Sequence, residues 1–346
     1  MKISDIAKLK SAGPSSKKRF VYNGNSNKED HSGLQIRKLM AGENASLPEI
    51  KNNIEETYNN CLENVKSIFN RAAIDFGIMP SCTQVQDMVK NIIIQLQSSS
   101  VEIMDLFMKY EEGDYLYSHS ANVTFLSVMM GIWLNYNMSD LSSLATAAFF
   151  HDIGMLQFRD ITSQTKKLSK QEREQVDMHP NFSSQFVKQI PGLDKKLSET
   201  ILFHHKRLSK TNMDLNEHAQ IIGLADVLEA MTHPRPYKAA LQPHAAITVI
   251  IEAMNSCFSQ SIVKVLVDNI GVYPVGTWVW LDTREIGLVI DVNSGLPLSP
   301  KLNIMFDDCM QRLPRTRIVD LSKQTNLHIK GPLEEKDKSR FKDALS

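Results

Sequence analysis

Apolar residues recur every three or four positions from Leu47 onward, which is the spacing of one buried face of an α-helix. Pro48 suits the opening turn of a helix. The first apolar stripe consists of Ile54, Tyr58, Cys61, Val65 and Phe69. A second helix is predicted from Thr83 to Tyr110. Between Tyr115 and Ser256 the same spacing continues in pieces separated by short polar or Pro/Gly breaks, which predicts an all-α bundle.

The pattern changes after Gly271. Short apolar runs of β type occupy residues 278–281, 286–290 and 302–306, and Asp-Thr and Asn-Ser-Gly turns separate them. The fold class predicted from these patterns is therefore mainly α, with N-terminal helices, a helical bundle and a small C-terminal β appendage.

The same patterns predict five regions along the chain. Residues 1–46 are rich in Ser, Lys, Asn and Gly, and a segment with so few aliphatic side chains is expected to be a disordered tail. The remaining regions are a helical region at 47–110, a helical bundle domain at 111–270, a β subdomain at 271–325 and a charged tail at 326–346.

Composition excludes several functions and leaves others open. The 39 basic residues balance the 39 acidic ones, so no overall field attracts a nucleic-acid polymer or an anionic membrane. Four widely spaced cysteines and an N-terminus without a long apolar core indicate a cytoplasmic protein without a disulfide framework. The best candidate for a membrane span, Asn122–Leu134, is too short to cross a bilayer, contains polar residues, and is interpreted as a buried core helix.

The candidate chemistry begins at His151-Asp152, an adjacent pair that follows the apolar segment Leu141–Phe150. Imidazole and carboxylate together suit a first-row transition metal, but a single His-Asp pair is weak evidence. The other candidate ligands in the helical region are His119, His179, His204, His205 and Asp226. Taken singly, each can be an ordinary core, turn or surface residue. Together, several imidazoles in one pocket need a charge such as a metal to hold them.

The order and approximate spacing of these motifs resemble those of HD-GYP phosphodiesterases. The resemblance covers roughly residues 110 to 255. It is carried by the segments Tyr115–Ser120, His151–Gly154, His179-Pro180, His204-His205, Ala225–Thr232 and Arg235–Leu241. Residues 273–277 and the β runs after them also resemble the segment that follows the catalytic domain in many of those proteins.

The resemblance implies a centre of two divalent transition-metal ions, iron or manganese. His119, His151 and Asp226 would bind one ion, His179, His204 and His205 the other, and Asp152 would bridge them. It also implies hydrolysis of a cyclic dinucleotide, usually cyclic di-GMP, by in-line attack of a metal-bridging hydroxide. Arg235 and Lys238 occupy positions that bind substrate phosphate in the family.

Three positions depart from the family pattern. The Gly-Tyr-Pro loop is absent after His204-His205, and Met155 replaces the usual lysine. Tyr115 stands where some relatives have a glutamate that binds a third metal, which favours two metals here. Lys206, Arg207 and Lys210 either replace the lost charge or form an ordinary solvated loop.

Because the missing Gly-Tyr-Pro loop and Met155 affect substrate contacts and spare the seven metal ligands, a second hypothesis stays open. In it the chain is a cyclic-dinucleotide sensor or scaffold that keeps the metals and has little catalysis. A third, weaker hypothesis is a phosphohydrolase for nucleotide monoesters. Protein partners and a homodimer are left open by the sequence.

Overall fold

The structure is a computed structural model that describes residues 47–98, 115–162, 168–208, 215–234, 240–324, 326–333 and 337. Several sequence predictions lie outside these residues. They are the tail at 1–46, the end of the second predicted helix beyond residue 98, Lys210, Arg235, Lys238, and most of the charged tail.

The described part of the chain is mainly helical, as the hydrophobic pattern predicts. The first helices are α1 (Leu47–Ile74), α2 (Cys82–Ser98), α3 (Tyr115–Trp133) and α4 (Met138–Phe150). A 3₁₀ turn, Ile153–Phe158, leads into α5 (Arg159–Thr162), α6 (Lys170–Val176) and α7 (His179–Gln189). The remaining helices are α8 (Lys196–Phe203), α9 (Glu217–Thr232), α10 (Pro243–Cys257) and α11 (Gln260–Ile270).

Helix α3 forms the centre of the bundle. Every residue from Tyr117 to Gly131 is buried, which is the environment that a helix without a polar face requires. Helices α1, α4 and α9 pack around it. The predicted stripe of α1 faces this core, since Tyr58, Cys61 and Phe69 are all buried. The prediction that Asn122–Leu134 forms a buried core helix is thus confirmed, although the helix begins earlier, at Tyr115, and ends at Trp133.

No helix among the described residues combines the length and apolar character needed to cross a lipid bilayer.

The C-terminal appendage is a five-stranded antiparallel sheet with the order β4-β3-β2-β1-β5. Its strands are β1 (Trp278–Leu281), β2 (Ile286–Asp291), β3 (Lys301–Phe306), β4 (Arg312–Asp320) and β5 (Ile329–Pro332). The first three match the predicted runs. Strand β5 pairs with β1, so the sheet extends beyond residue 325, where the sequence predicts the β subdomain to end. Buried Val279, Leu281 and Leu302 join the core of the helical bundle.

Candidate metal centre

Five helices of the bundle contribute the predicted ligands to one place. His119 belongs to α3, and the His151-Asp152 pair follows the end of α4. His179 opens α7, the His204-His205 pair follows α8, and Asp226 belongs to α9. All seven predicted metal ligands are among the described residues, and ion-pair distances of 3.0 to 3.7 Å connect them.

Helix ends explain how three of these imidazoles are oriented. The Nδ1 atoms of His151, His179 and His204 lie 2.7, 2.8 and 2.6 Å from the backbone oxygens of Ala148, Val176 and Ile201. Each of these carbonyls belongs to the residue three positions earlier. When Nδ1–H donates to such a carbonyl, the tautomer is fixed and the Nε2 lone pair is left for a metal.

The donor atoms form two groups that share one carboxylate. His119, His151 and Asp152 make one group, and Asp152, His179, His204 and His205 make the other. Within each group the candidate ligand atoms lie within 4.8 Å of one another. Asp152 is thus the one residue that belongs to both groups among the described residues.

Asp226 lies between the two groups and belongs to neither. Its Oδ1 is 3.6 Å from His119 Nε2, and its Oδ2 is 3.5 Å from His205 Nδ1. The resemblance assigns Asp226 to the first ion together with His119 and His151. The geometry places its two oxygens toward opposite halves of the centre, so it is positioned to contact either ion.

The donor set fits a pair of cations. Asp152 Oδ1 and His204 Nε2 are buried atoms without a hydrogen-bond partner. His179 Nε2 lies 3.0 Å from Asp152 Oδ1, but its proton is placed on Nδ1 by the contact with the Val176 carbonyl. Lone pairs therefore face lone pairs across a buried space, an arrangement that costs free energy unless a cation binds there.

Burial and neighbouring charges divide the imidazoles by protonation state. Burial and, as a smaller cause, the nearby His205 lower the pKa of His204 to about 3, so His204 is neutral and able to bind a metal at neutral pH. Burial opposes protonation of His119 as well, but the carboxylates of Glu229 and Asp152 outweigh it and raise the pKa of His119 to about 10. A metal that binds His119 must therefore displace a proton.

Two glycines allow the close approach that brings the ligands together. A Cβ atom on Gly154, two residues after Asp152, would lie 2.2 Å from the backbone oxygen of His179. A Cβ atom on Gly223, in α9, would lie 2.2 Å from the backbone oxygen of His204. Only glycine therefore fits at these two helix contacts as they stand.

Two known family models match this chain, one over part of the helical bundle and one from the start of the C-terminal sheet onward. The HD domain model matches residues 116–231, and the model of a KOW domain associated with the HD domain matches residues 278–341. A cyclic di-GMP phosphodiesterase of Pseudomonas aeruginosa is 24% identical over 267 residues, which is 75% of this chain and 64% of that protein. The cyclic di-GMP phosphodiesterase PdeB of Borreliella burgdorferi is 23% identical over 250 residues, 68% of this chain and 64% of its own.

A solved structure shares the fold. It is Bd1817, a HDG"Y"P protein from Bdellovibrio bacteriovorus, with a TM-score of 0.50 and 14% identity over 62% of this chain and 76% of that one. Residues 116–231 therefore carry an HD domain, and the chain is similar to HD-GYP proteins. It spans slightly less than two thirds, 64%, of the length of each of the two phosphodiesterases it matches.

The segment that stands in place of the Gly-Tyr-Pro loop begins beside His205, at the exposed edge of the centre. His205 is the most exposed of the ligands with described ion-pair contacts, at 42% of its side chain. Beside it, Lys206 lies over the ring of Phe203. Arg207 donates to the backbone oxygens of His204 and Lys206 and lies over the ring of Phe258. These contacts give Arg207 a role in holding the loop.

Sequence reasoning missed Glu229 as a site residue. Its buried carboxylate lies 2.5 Å from His119 Nδ1 and accepts a hydrogen bond of 2.6 Å from the Tyr115 hydroxyl. Its position three residues after Asp226 offered a signal, since residues i and i+3 share one face of a helix.

Proposed function

We propose that the chain is a metal-dependent phosphodiesterase that hydrolyses a cyclic dinucleotide, with cyclic di-GMP as the first candidate. The observation that carries this proposal is Asp152, whose carboxylate belongs to both donor groups and has a buried oxygen without a hydrogen-bond partner. A shared carboxylate between two imidazole sets is the arrangement that holds two metal ions a few ångströms apart.

Each side chain has a distinct part in this proposal. His119 and His151 would hold one ion, and His179, His204 and His205 would hold the other. Asp152 would be shared by both sets, and Asp226 would assist from between the two groups. Two divalent ions, iron or manganese, would supply a hydroxide nucleophile and stabilise the leaving oxygen of an in-line displacement. The N and O donor set suits both metals.

The relatives support the substrate class. Two are named cyclic di-GMP phosphodiesterases, and a third, from Vibrio cholerae, is named a 3'3'-cGAMP-specific phosphodiesterase and is 26% identical over 153 residues. That third match covers 42% of this chain and 33% of the relative. All three act on cyclic dinucleotides by their names, so this class of substrate is the one to test first. Four free cysteines support the proposal that the protein works in the reducing cytoplasm.

The test is incubation of the protein, reconstituted with Mn²⁺ or with Fe²⁺ under anaerobic conditions, with a panel of cyclic dinucleotides. We expect the linear dinucleotide or the mononucleotide to accumulate on chromatography. The Asp152→Ala variant, carried through the same reconstitution, should give no product. Metal-loaded protein that leaves every cyclic dinucleotide intact contradicts the proposal.

One observation favours a second function, that of a cyclic-dinucleotide sensor or scaffold. Met155 cannot donate to a phosphate as a lysine would, and the loop after His205 lacks the Gly-Tyr-Pro sequence. Tight binding of cyclic di-GMP without turnover in the same incubation would establish this function. Release of phosphate from nucleotide monophosphates, included in the panel, would establish a monoester phosphohydrolase.

We further propose that Arg235 and Lys238, which lie outside the described residues, bind the substrate phosphates. Replacing both with alanine should weaken binding of cyclic di-GMP roughly ten- to a hundredfold, since a charge-assisted hydrogen bond contributes about 1.5 to 3 kcal/mol. Metal content should not change, because cationic side chains do not bind cations. Calorimetric titration measures the first quantity and elemental analysis the second. Unchanged affinity would direct attention to Lys206 and Lys210.

A further inference from the structure

The carboxylate of Glu229 lies behind the metal ligand His119, on the side away from the centre. Glu229 Oε2 is 2.5 Å from His119 Nδ1, whereas His119 Nε2 points toward His151 Nε2 at 3.2 Å and Asp152 Oδ2 at 3.3 Å. Glu229 itself is fully buried. The ring of His119 thus lies between the carboxylate and the proposed metal.

The position of His119 in the fold explains why a side chain is needed here. His151, His179 and His204 lie at helix ends and donate to a backbone carbonyl three residues earlier. His119 is the fifth residue of the 19-residue helix α3, where the helix's own hydrogen bonds occupy the backbone carbonyls. Its Nδ1–H therefore needs an acceptor from another element, and α9 supplies Glu229.

We propose that Glu229 is a positioning residue for His119. Its carboxylate accepts the Nδ1–H, fixes the tautomer that turns Nε2 to the metal, and makes the ring a stronger donor. This inference rests on the metal centre of the proposed function. It adds a residue outside the seven ligands that sets the affinity of the half containing His119.

Further hydrogen bonds hold this carboxylate in place. The Tyr115 hydroxyl, one helical turn before His119, donates to Glu229 Oε2 at 2.6 Å. The Asn122 amide lies 3.4 Å from Glu229 Oε1 and in turn accepts from the Tyr58 hydroxyl of α1 at 2.8 Å. Both carboxylate oxygens therefore have partners. A buried network satisfied in this way holds its members in one arrangement.

The experiment compares Glu229→Gln with Gln220→Ala. Glutamine preserves the shape of the side chain and removes its negative charge. Gln220 is a matched control because it is buried in the same helix and hydrogen-bonded to Leu215 and Ser259, with no contact to His119. Each purified variant, stripped of metal, is titrated with Co²⁺ and followed by calorimetry and by the cobalt d–d absorption bands.

We expect Glu229→Gln to weaken Co²⁺ binding about 10- to 100-fold and to shift the d–d bands, since second-shell partners of metal-binding histidines have effects of this size. Gln220→Ala should leave the bands unchanged. Unaltered affinity and bands in Glu229→Gln, or equal losses in both variants, would overturn the inference. If the unmodified protein binds no Co²⁺, the proposed function itself fails, so the two failures are distinguishable.

Discussion

Replacement of Asp152 by alanine is expected to empty both halves of the metal centre. The carboxylate of Asp152 belongs to both donor groups, so its loss removes a ligand from each ion at once. The variant also leaves His179 and His204, which lie 3.0 and 3.7 Å from Asp152 Oδ1, without their shared negative neighbour. Elemental analysis of the reconstituted variant should show most of the bound metal lost, and hydrolysis of cyclic di-GMP should disappear with it.

Two histidines outside the centre serve as controls for this experiment. His218, at the start of α9, packs against the ring of Tyr136. His328 is exposed and directly precedes β5. His218→Ala and His328→Ala should retain the metal content of the unmodified protein. Equal metal loss in all three variants would show that the chosen ligands are wrong.

The second large effect is expected from Gly154→Ala. The added methyl group would meet the backbone oxygen of His179 at 2.2 Å and the backbone nitrogen of Ser183 at 2.7 Å. Because backbone atoms cannot rotate away, α7 must move from the His151-Asp152 segment. The cost should reach the upper end of the range for overpacking, about 3 kcal/mol, measured as the free energy of unfolding of metal-free protein in urea.

The same variant should lose metal affinity, because the displaced α7 carries His179. Gly331→Ala is the matched control, since a Cβ atom there meets nothing within 4 Å. That variant should stay within about 0.5 kcal/mol of the unmodified protein. A Gly154→Ala protein with unaltered stability and metal content would mean that the helices do not approach as closely as described.

Much of the bundle could be predicted from the sequence because one physical signal dominates it. The apolar stripe on α1 is buried, as its three- and four-residue spacing predicts, because helical periodicity indicates which face of a helix meets the core. The apolar run of α3 is buried on all sides, as a helix without a polar face requires. Strands β4 and β5 are harder to predict. Most of β4 is exposed, so its residues lack the alternation that marks a half-buried strand. Strand β5 has only four residues, Ile329–Pro332.

Some residues of the candidate site could likewise be predicted from the sequence, and one could not. His119, His151 and His204 were predicted because residue type and order along the chain carry the pattern of the family. Glu229 was missed because its importance depends on a contact between α9 and α3, 110 residues apart in sequence. Three of the histidines donate from Nδ1 to a carbonyl at a helix end, whereas His119 donates to the carboxylate of Glu229. Which acceptor each histidine uses depends on where each helix ends, and the spacing of residues along the sequence does not predict those ends.

The central claim is that these seven side chains form a centre for two metal ions. It is tested most directly by elemental analysis of the purified protein after reconstitution with iron and, separately, with manganese. The shared carboxylate and the two imidazole groups predict about two ions per chain. Reconstituted protein that retains no metal would contradict the account.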